Sequence, residues 1–174
     1  MAPRRRATPG PIAPSPSTTH AGRAVTAPIM REYPDLPRVG VGAVVLNGDR
    51  VLLVKRGGRP STGKWSLPGG MVELGETTVE AVEREIAEEC GLGIRVVGLA
   101  GVLDRVVKDA EGRVRYHWVL VDYLAYPKSE TICAGSDAAE ARWVPVSEIE
   151  RLDVTEGLMD MIRRAVALAG GAQP

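Results

Sequence analysis

Cysteine, long apolar runs and net charge are all scarce in this 174-residue chain, and each scarcity excludes a class of protein. Only two cysteines occur, Cys90 and Cys133, far apart along the chain and in no metal-ligand spacing. They predict free thiols, buried or partly buried, in a reducing and therefore cytoplasmic setting, rather than a disulfide framework. No apolar run approaches the roughly 18 residues that a membrane span requires, so a soluble chain is expected. Basic and acidic residues number 22 each, for a formal net charge of zero. The charges are nevertheless segregated. Arg4, Arg5, Arg6 and Arg23 stand unopposed in the first thirty residues, which leaves the remainder of the chain acidic. An acidic body lacks the clustered excess of Lys and Arg that nucleic-acid backbones demand, which argues against a nucleic-acid partner. It suits a protein that holds divalent cations.

What is present points to one globular domain. The hydrophobic fraction is 44%, enough for a core without disulfides, and the length suits a single domain. Residues 1–36 are rich in Pro, Ala, Ser and Thr and show no periodicity. They predict a disordered tail, because they cannot bury enough apolar surface to offset the entropy of ordering. The Arg-rich, acid-poor character also fits a transit peptide, but no amphipathic face is visible. The domain is expected over 37–170, with 171–174 as a C-terminal tail.

Val39 to Leu46 and Val51 to Lys55 are apolar and β-branched, with a hairpin signal at Asn47-Gly48 between them. Ile94 to Asp104 and Val114 to Ala125 are further strand candidates, joined by a turn over Asp109 to Gly112; Ala141 to Val146 is another. One helix is expected to start at Thr77, in capping-box spacing with Glu80, and to stop at Gly91. Val79, Val82, Ile86 and Cys90 would form its core-facing stripe. A second helix is expected from Asp153 and Glu156, again at capping-box spacing, burying Leu158, Met159, Ile162, Ala165 and Val166. Strands mixed with a few helices predict the α/β (α+β) class, a sheet covered by helices on its faces.

The chemistry concentrates in Gly70 to Leu92, GMVELGETTVEAVEREIAEECGL. Glu85, Glu88 and Glu89 stand at i, i+3 and i+4, so three carboxylates share one helical face. Like charges at that spacing repel, and a solvated acidic face is the bland explanation. Oxygen-rich clusters are also what hard cations such as Mg²⁺ and Mn²⁺ require, and a cation would turn the repulsion into attraction. Leu67-Pro68-Gly69-Gly70 and Gly75 form a glycine-rich turn in front of the helix that lets backbone approach a ligand. Glu76 lies two helical turns from Arg84 and is expected to hold the loop to the helix through a charge-assisted contact.

This segment resembles the Nudix box: G, five residues, E, seven residues, R-E-U, any, E-E, any, G-U, where U is a bulky aliphatic. Gly70, Glu76, Arg84, Glu85, Ile86, Glu88, Glu89, Gly91 and Leu92 fill every defined position. The lead-in from Gly63 to Gly70 and the element order from about Val39 to Ala169 are also similar to the family's. The resemblance implies a Nudix fold, a mixed β-sheet sandwiched between helices (α/β/α). It implies that Glu85, Glu88 and Glu89 bind catalytic Mg²⁺ (Mn²⁺ as an alternative), which bridges a diphosphate and activates water. Gly70, Glu76, Arg84 and Gly91 would be the structural members of the motif.

Outside the box the signals thin. Family members often carry an acidic residue just before the last strand, which makes Glu140 a candidate extra metal ligand or general base, against a surface-loop reading. Arg56 and Lys64 flank the glycine-rich loop and would neutralise phosphate oxygens, against ordinary surface charge. Gly69 and Gly70 would offer backbone to the substrate. The resemblance implies hydrolysis of the diphosphate linkage of a nucleoside diphosphate derivative, with an ADP-ribose-type substrate favoured. The alternative is a (d)NTP pyrophosphohydrolase that clears nucleotides and releases NMP and pyrophosphate. A non-catalytic Nudix-fold nucleotide sensor is the reading from another class. Such domains usually lose metal glutamates and carry a DNA-binding module, whereas every glutamate is present here and no helix-turn-helix signal occurs. A homodimer and a monomer both remain compatible with the resemblance.

Overall fold

The computed structural model describes residues 32–58, 61–133 and 138–171, with backbone alone at 138 and 139. Among the described residues, seven strands and two α-helices make a mixed sheet with a helix on each face. The strands are β1 (Arg38–Asn47), β2 (Arg50–Arg56), β3 (Trp65–Ser66), β4 (Gly69–Met71), β5 (Ile94–Lys108), β6 (Val114–Pro127) and β7 (Ala138–Pro145). The helices are α1 (Thr78–Cys90) and α2 (Leu158–Gly171), with a 3-10 segment over Val146–Arg151. Of the 1–36 tail, residues 1–31 lie outside the described residues, as do 172–174 of the C-terminal one. Contacts with the sheet begin upstream of Pro37: the Tyr33 N–H donates to the Arg115 carbonyl at 2.8 Å, and Arg115 and Tyr116 both bond the Glu32 carboxylate.

β1 is continuously apolar because it is buried on both faces. It pairs in parallel with β6 from Arg38↔Trp118 to Val45↔Ala125, and antiparallel with β2 and β4. A strand in that position cannot alternate polar and apolar residues. Its odd positions Val41, Ala43 and Val45 join one core with Val82, Ile86 and Cys90 of α1. Its even positions Val44 and Leu46 join a second core with Met161, Ile162 and Ala165 of α2. Hairpin register pairs Asn47 with Arg50, so the two-residue loop is Gly48-Asp49, one position later than Asn47-Gly48. Gly48 alone takes the positive φ, 62°.

α1 starts and stops where its caps dictate. Thr77 accepts from the Glu80 N–H while Glu80 accepts from the Thr77 N–H, the reciprocal pair that satisfies two free donors. Gly91 ends the helix at φ 60°, its N–H on the Ala87 carbonyl. The buried stripe is Ala81, Val82, Ile86 and Cys90; Val79 faces outward because the helix turns its Ala81 side to the sheet. α2 departs further from expectation. It begins at Leu158, not at Asp153, because Asp153 to Thr155 are drawn into the sheet. The Asp153 carbonyl accepts from Trp65 N–H and the Thr155 N–H donates to the Trp65 carbonyl, both near 2.9 Å. Met161 takes the buried place expected of Val166, which is exposed.

The two cysteines, distant in sequence, meet through their backbones: the Cys133 N–H donates to the Cys90 carbonyl at 2.9 Å. Both are free thiols; Cys90 is buried and Cys133 exposed. Burial pushes the Cys90 thiol up to about 12, with the Glu89 charge adding to the effect. Native protein at pH 8 should therefore take up one equivalent of an alkylating reagent, at Cys133, and a second only on unfolding. Mass analysis that finds Cys90 labelled in the native state would contradict this packing. Thr77→Ala should lower stability by about 1 kcal/mol, read as a shift in the urea midpoint.

Candidate active site

β4 is the hinge of the site. Gly69 and Gly70 pair with Gly42 and Val41 of β1, and α1 packs across them. Gly69 has φ 147°, and a Cβ there would overlap the Val41 carbonyl. A Cβ on Gly70 would overlap the Glu85 carboxyl group. The missing side chains thus let a helical carboxylate seat directly on strand backbone. The Gly69 N–H donates to Glu89 Oε2 at 3.0 Å, bringing a second carboxylate to the same strand.

Arg84 ties this arrangement together. Its Nε and Nη2 donate to Glu76 at 3.1 and 2.7 Å, Nη1 donates to Glu85 at 3.0 Å and Glu88 at 3.2 Å, and Nη2 also reaches the Met71 carbonyl at 3.0 Å. The Glu76–Arg84 contact expected from spacing is present, as a two-point pair. The Arg84 hydrogen bond, aided by the Glu73 N–H, holds the Glu76 carboxyl below the usual carboxylate range; Glu76 in turn raises Arg84. The repulsion expected between Glu85 and Glu88 is offset here by the guanidinium between them. Among the described residues, no three acidic, imidazole or thiol groups stand together at metal-ligand spacing. The donors nonetheless fit a hard divalent cation chemically: all are carboxylate oxygens, and the side-chain-free Gly70 opens space at Glu85.

The three glutamates line a cleft of about 1370 Å³ that also takes in Arg56, Gly69 and Gly70. Its far wall is the α2 face of the sheet. Lys64 and Glu140 are not brought into it. Lys64 pairs with Asp153 at 3.0 Å, both well exposed, because Asp153 sits beside β3. Glu140 is exposed on β7 opposite Lys55. Strand alternation sets it with Val144, which joins the α2-side core, whereas Ala141 and Trp143 pack toward α1. Trp65 is buried, with Arg142 4.1 Å above its ring, so it packs under the loop.

Sequence reasoning passed over Asp122 on β6, which also lines the cleft. An acid inside an otherwise apolar strand run, Val119 to Leu124, was the available signal. Burial alone pushes its carboxyl from 3.8 up to about 6. The folded chain therefore keeps this proton over a pH interval in which the unfolded chain has released it. Its stabilising effect is complete below about pH 4 and lost as pH rises through about 6, by ~3 kcal/mol. Asp122→Asn cannot ionise, so its stability advantage over wild type should grow between pH 4 and 7 and then level off. Denaturant titrations at several pH values check this, and a constant difference would refute it.

Comparison with known proteins identifies the family. The NUDIX domain family model matches residues 36–165. The ADP-ribose pyrophosphatase of Methanocaldococcus jannaschii is 37% identical over 116 residues, 67% of this chain and 66% of that protein. The 8-oxo-dGDP phosphatase of Mus musculus is 36% identical over 108 residues, 59% of this chain and 31% of that one. The chain thus spans less than two thirds of either relative's length. A crystal structure of a MutT NUDIX hydrolase from Burkholderia pseudomallei superposes with a TM-score of 0.63 at 32% identity, covering 75% of this chain and 98% of that one. With the whole sheet, α1 and its capped acidic motif inside the matched residues, the chain belongs to the NUDIX domain family.

Proposed function

We propose that this protein hydrolyses the diphosphate linkage of a nucleoside diphosphate derivative with the help of Mg²⁺ or Mn²⁺, and that ADP-ribose-type compounds are its favoured substrates. The observation that carries the reading is the seating of Glu85 and Glu89 on the side-chain-free strand Gly69-Gly70, at one end of a large cleft. The ADP-ribose preference leans on the Methanocaldococcus jannaschii relative. The Mus musculus relative favours a second reading, action on damaged or surplus nucleotides.

Glu85, Glu88 and Glu89 would hold the cation, which supplies charge neutralisation on phosphorus and a more acidic water. Glu85 and Glu88 would do so by exchanging Arg84 Nη1 as their positive partner. Arg84 stays anchored through Glu76 and the Met71 carbonyl, so the helix and β4 keep their spacing during that exchange. Arg56, at the cleft wall, faces the phosphate path as a fixed positive charge. The exposed backbone of Gly69 and Gly70 lets the diphosphate approach closely. Positioning rather than covalent chemistry is the protein's contribution.

Glu85→Gln and Glu89→Gln should each lower kcat on ADP-ribose by at least about 100-fold while the fold, read by circular dichroism, is retained. Glu140→Gln, whose side chain is not among those lining the cleft, should stay within about threefold of wild type. Assays with ADP-ribose, dGTP, 8-oxo-dGTP and CTP in Mg²⁺, following AMP, phosphate and pyrophosphate, discriminate the two substrate readings. Nucleotide binding without turnover of any of them would instead identify a sensor.

A further inference from the structure

One charged group in the cleft has no part in the chemistry above. Asp122 is only 7% exposed, and among the described residues no hydrogen-bond donor or cation reaches its carboxyl group. An acid buried without a partner is costly, so it is retained against its own desolvation. The surrounding sheet is shaped to admit it. Register places Asp122 between Gly42 of β1 and Gly101 of β5, two positions without side chains. A Cβ on Gly42 would stand 2.5 Å from Asp122 Oδ1.

The rest of the cleft floor says what kind of group meets this carboxyl. The next row along the strands is Gly40, Leu120 and Leu103, and the row beyond is Arg38, Trp118 and Arg105. All six line the cleft. An apolar row of Gly40, Leu120 and Leu103 leading to an indole flanked by two arginines suits a planar ring. The Glu85 and Glu89 end lies at Gly69 and Gly70, and Gly69 is separated from Asp122 by two strand spacings, about 10 Å. Sugar and base bridge such a gap when the diphosphate rests at the glutamates. Phosphate oxygens themselves offer Asp122 only acceptors and negative charge.

Resting on the diphosphate-hydrolase reading, we propose that Asp122 accepts a hydrogen bond from the exocyclic amino group of the substrate's nucleobase. It thereby selects adenine and cytosine nucleotides over uracil ones. Adenine and cytosine present an N–H₂ donor at the edge position where uracil presents a carbonyl, and the uracil N3–H lies beside that position rather than at it. A carbonyl there would face the carboxylate lone pairs and leave the acid unpaired. Loss of a hydrogen bond at a site built for it is what gives strong rejection of an analogue.

ADP-glucose and UDP-glucose share sugar and diphosphate and differ in the base, so they isolate this effect. Wild-type kcat/KM should favour ADP-glucose by about 10–100-fold. Asp122→Asn, whose amide oxygen still accepts from adenine and whose NH₂ can donate to the uracil carbonyl, should shrink that ratio to about threefold or less by gaining on UDP-glucose. Equal wild-type kcat/KM on the two sugars would overturn the proposal. So would an equal loss on both in the variant, which is what a purely structural Asp122 predicts. If neither sugar nucleotide nor any other diphosphate is hydrolysed, the function reading fails by itself. Base selection is then read in wild-type protein by calorimetry with AMP and purine riboside monophosphate, which lacks the amino group. About tenfold tighter AMP supports the role of Asp122, and equal affinity overturns it.

Discussion

The Arg84 guanidinium is the interaction on which the site depends. It spans three pieces of chain: the loop at Glu76, the strand end at Met71 and the acidic face of α1. An arginine suits this place because its planar fork reaches several acceptors at once, which a lysine cannot do. Without it, Glu85 and Glu88 would be neighbouring negative charges on one helical face, and the loop before the helix would lose its side-chain tie to Arg84 and keep the Thr77 box and the Glu73 N–H on Glu76. The order of strength is visible in the geometry. The contacts to Glu76 include the shortest, 2.7 Å, and those to Glu85 and Glu88 are longer, 3.0 and 3.2 Å. Glu76 is the anchor, and the other two glutamates are the groups free to change partner.

The glycines of β4 supply the complementary constraint. A helix normally stands off a sheet by the thickness of two side-chain layers. At Gly69 and Gly70 one layer is missing, so a carboxylate and a backbone N–H meet directly. This explains why the motif runs from a strand through an irregular loop into a helix. The strand gives the backbone surface, the loop reverses direction, and the Thr77 and Gly91 caps hold the helix to the length that puts Glu85 and Glu89 over β4.

What was legible in the sequence was local. Thr77, Glu80 and Gly91 act through bonds within four residues, and the i, i+3, i+4 spacing of the glutamates is a property of one helix. The Glu76–Arg84 pair spans eight residues and was still within reach. Asp153 and Glu156 had the same local signature as a helix start, but Trp65 competes for that backbone and wins, and no local pattern could show it. The same event gives Lys64 its partner, Asp153, which no local pattern could show either. The surroundings of Glu140 and Asp122 were not legible for one reason. Which strand face a residue occupies depends on register with strands far away in sequence, so Glu140, beside an expected strand, was a candidate and Asp122, inside one, was passed over.

The cleft is therefore uneven in how well its charges are satisfied. At the α1 end every site carboxylate has a partner within the protein: Arg84 for Glu85 and Glu88, the Gly69 N–H for Glu89. At the sheet end Asp122 has none among the described residues. A fold selected for stability alone would place an apolar residue between Gly42 and Gly101, because each row beside that position is already apolar. The two ends differ in what a ligand must bring. The α1 end needs positive charge to loosen Arg84 from the glutamates, and the sheet end needs a neutral donor that can enter an apolar floor. A nucleotide diphosphate carried with a divalent cation meets both requirements, and neither a free phosphate nor a base alone does so. On the proposed function, the asymmetry in satisfied charge would give the cleft a direction, with the scissile linkage at Gly69-Gly70 and the base against β6.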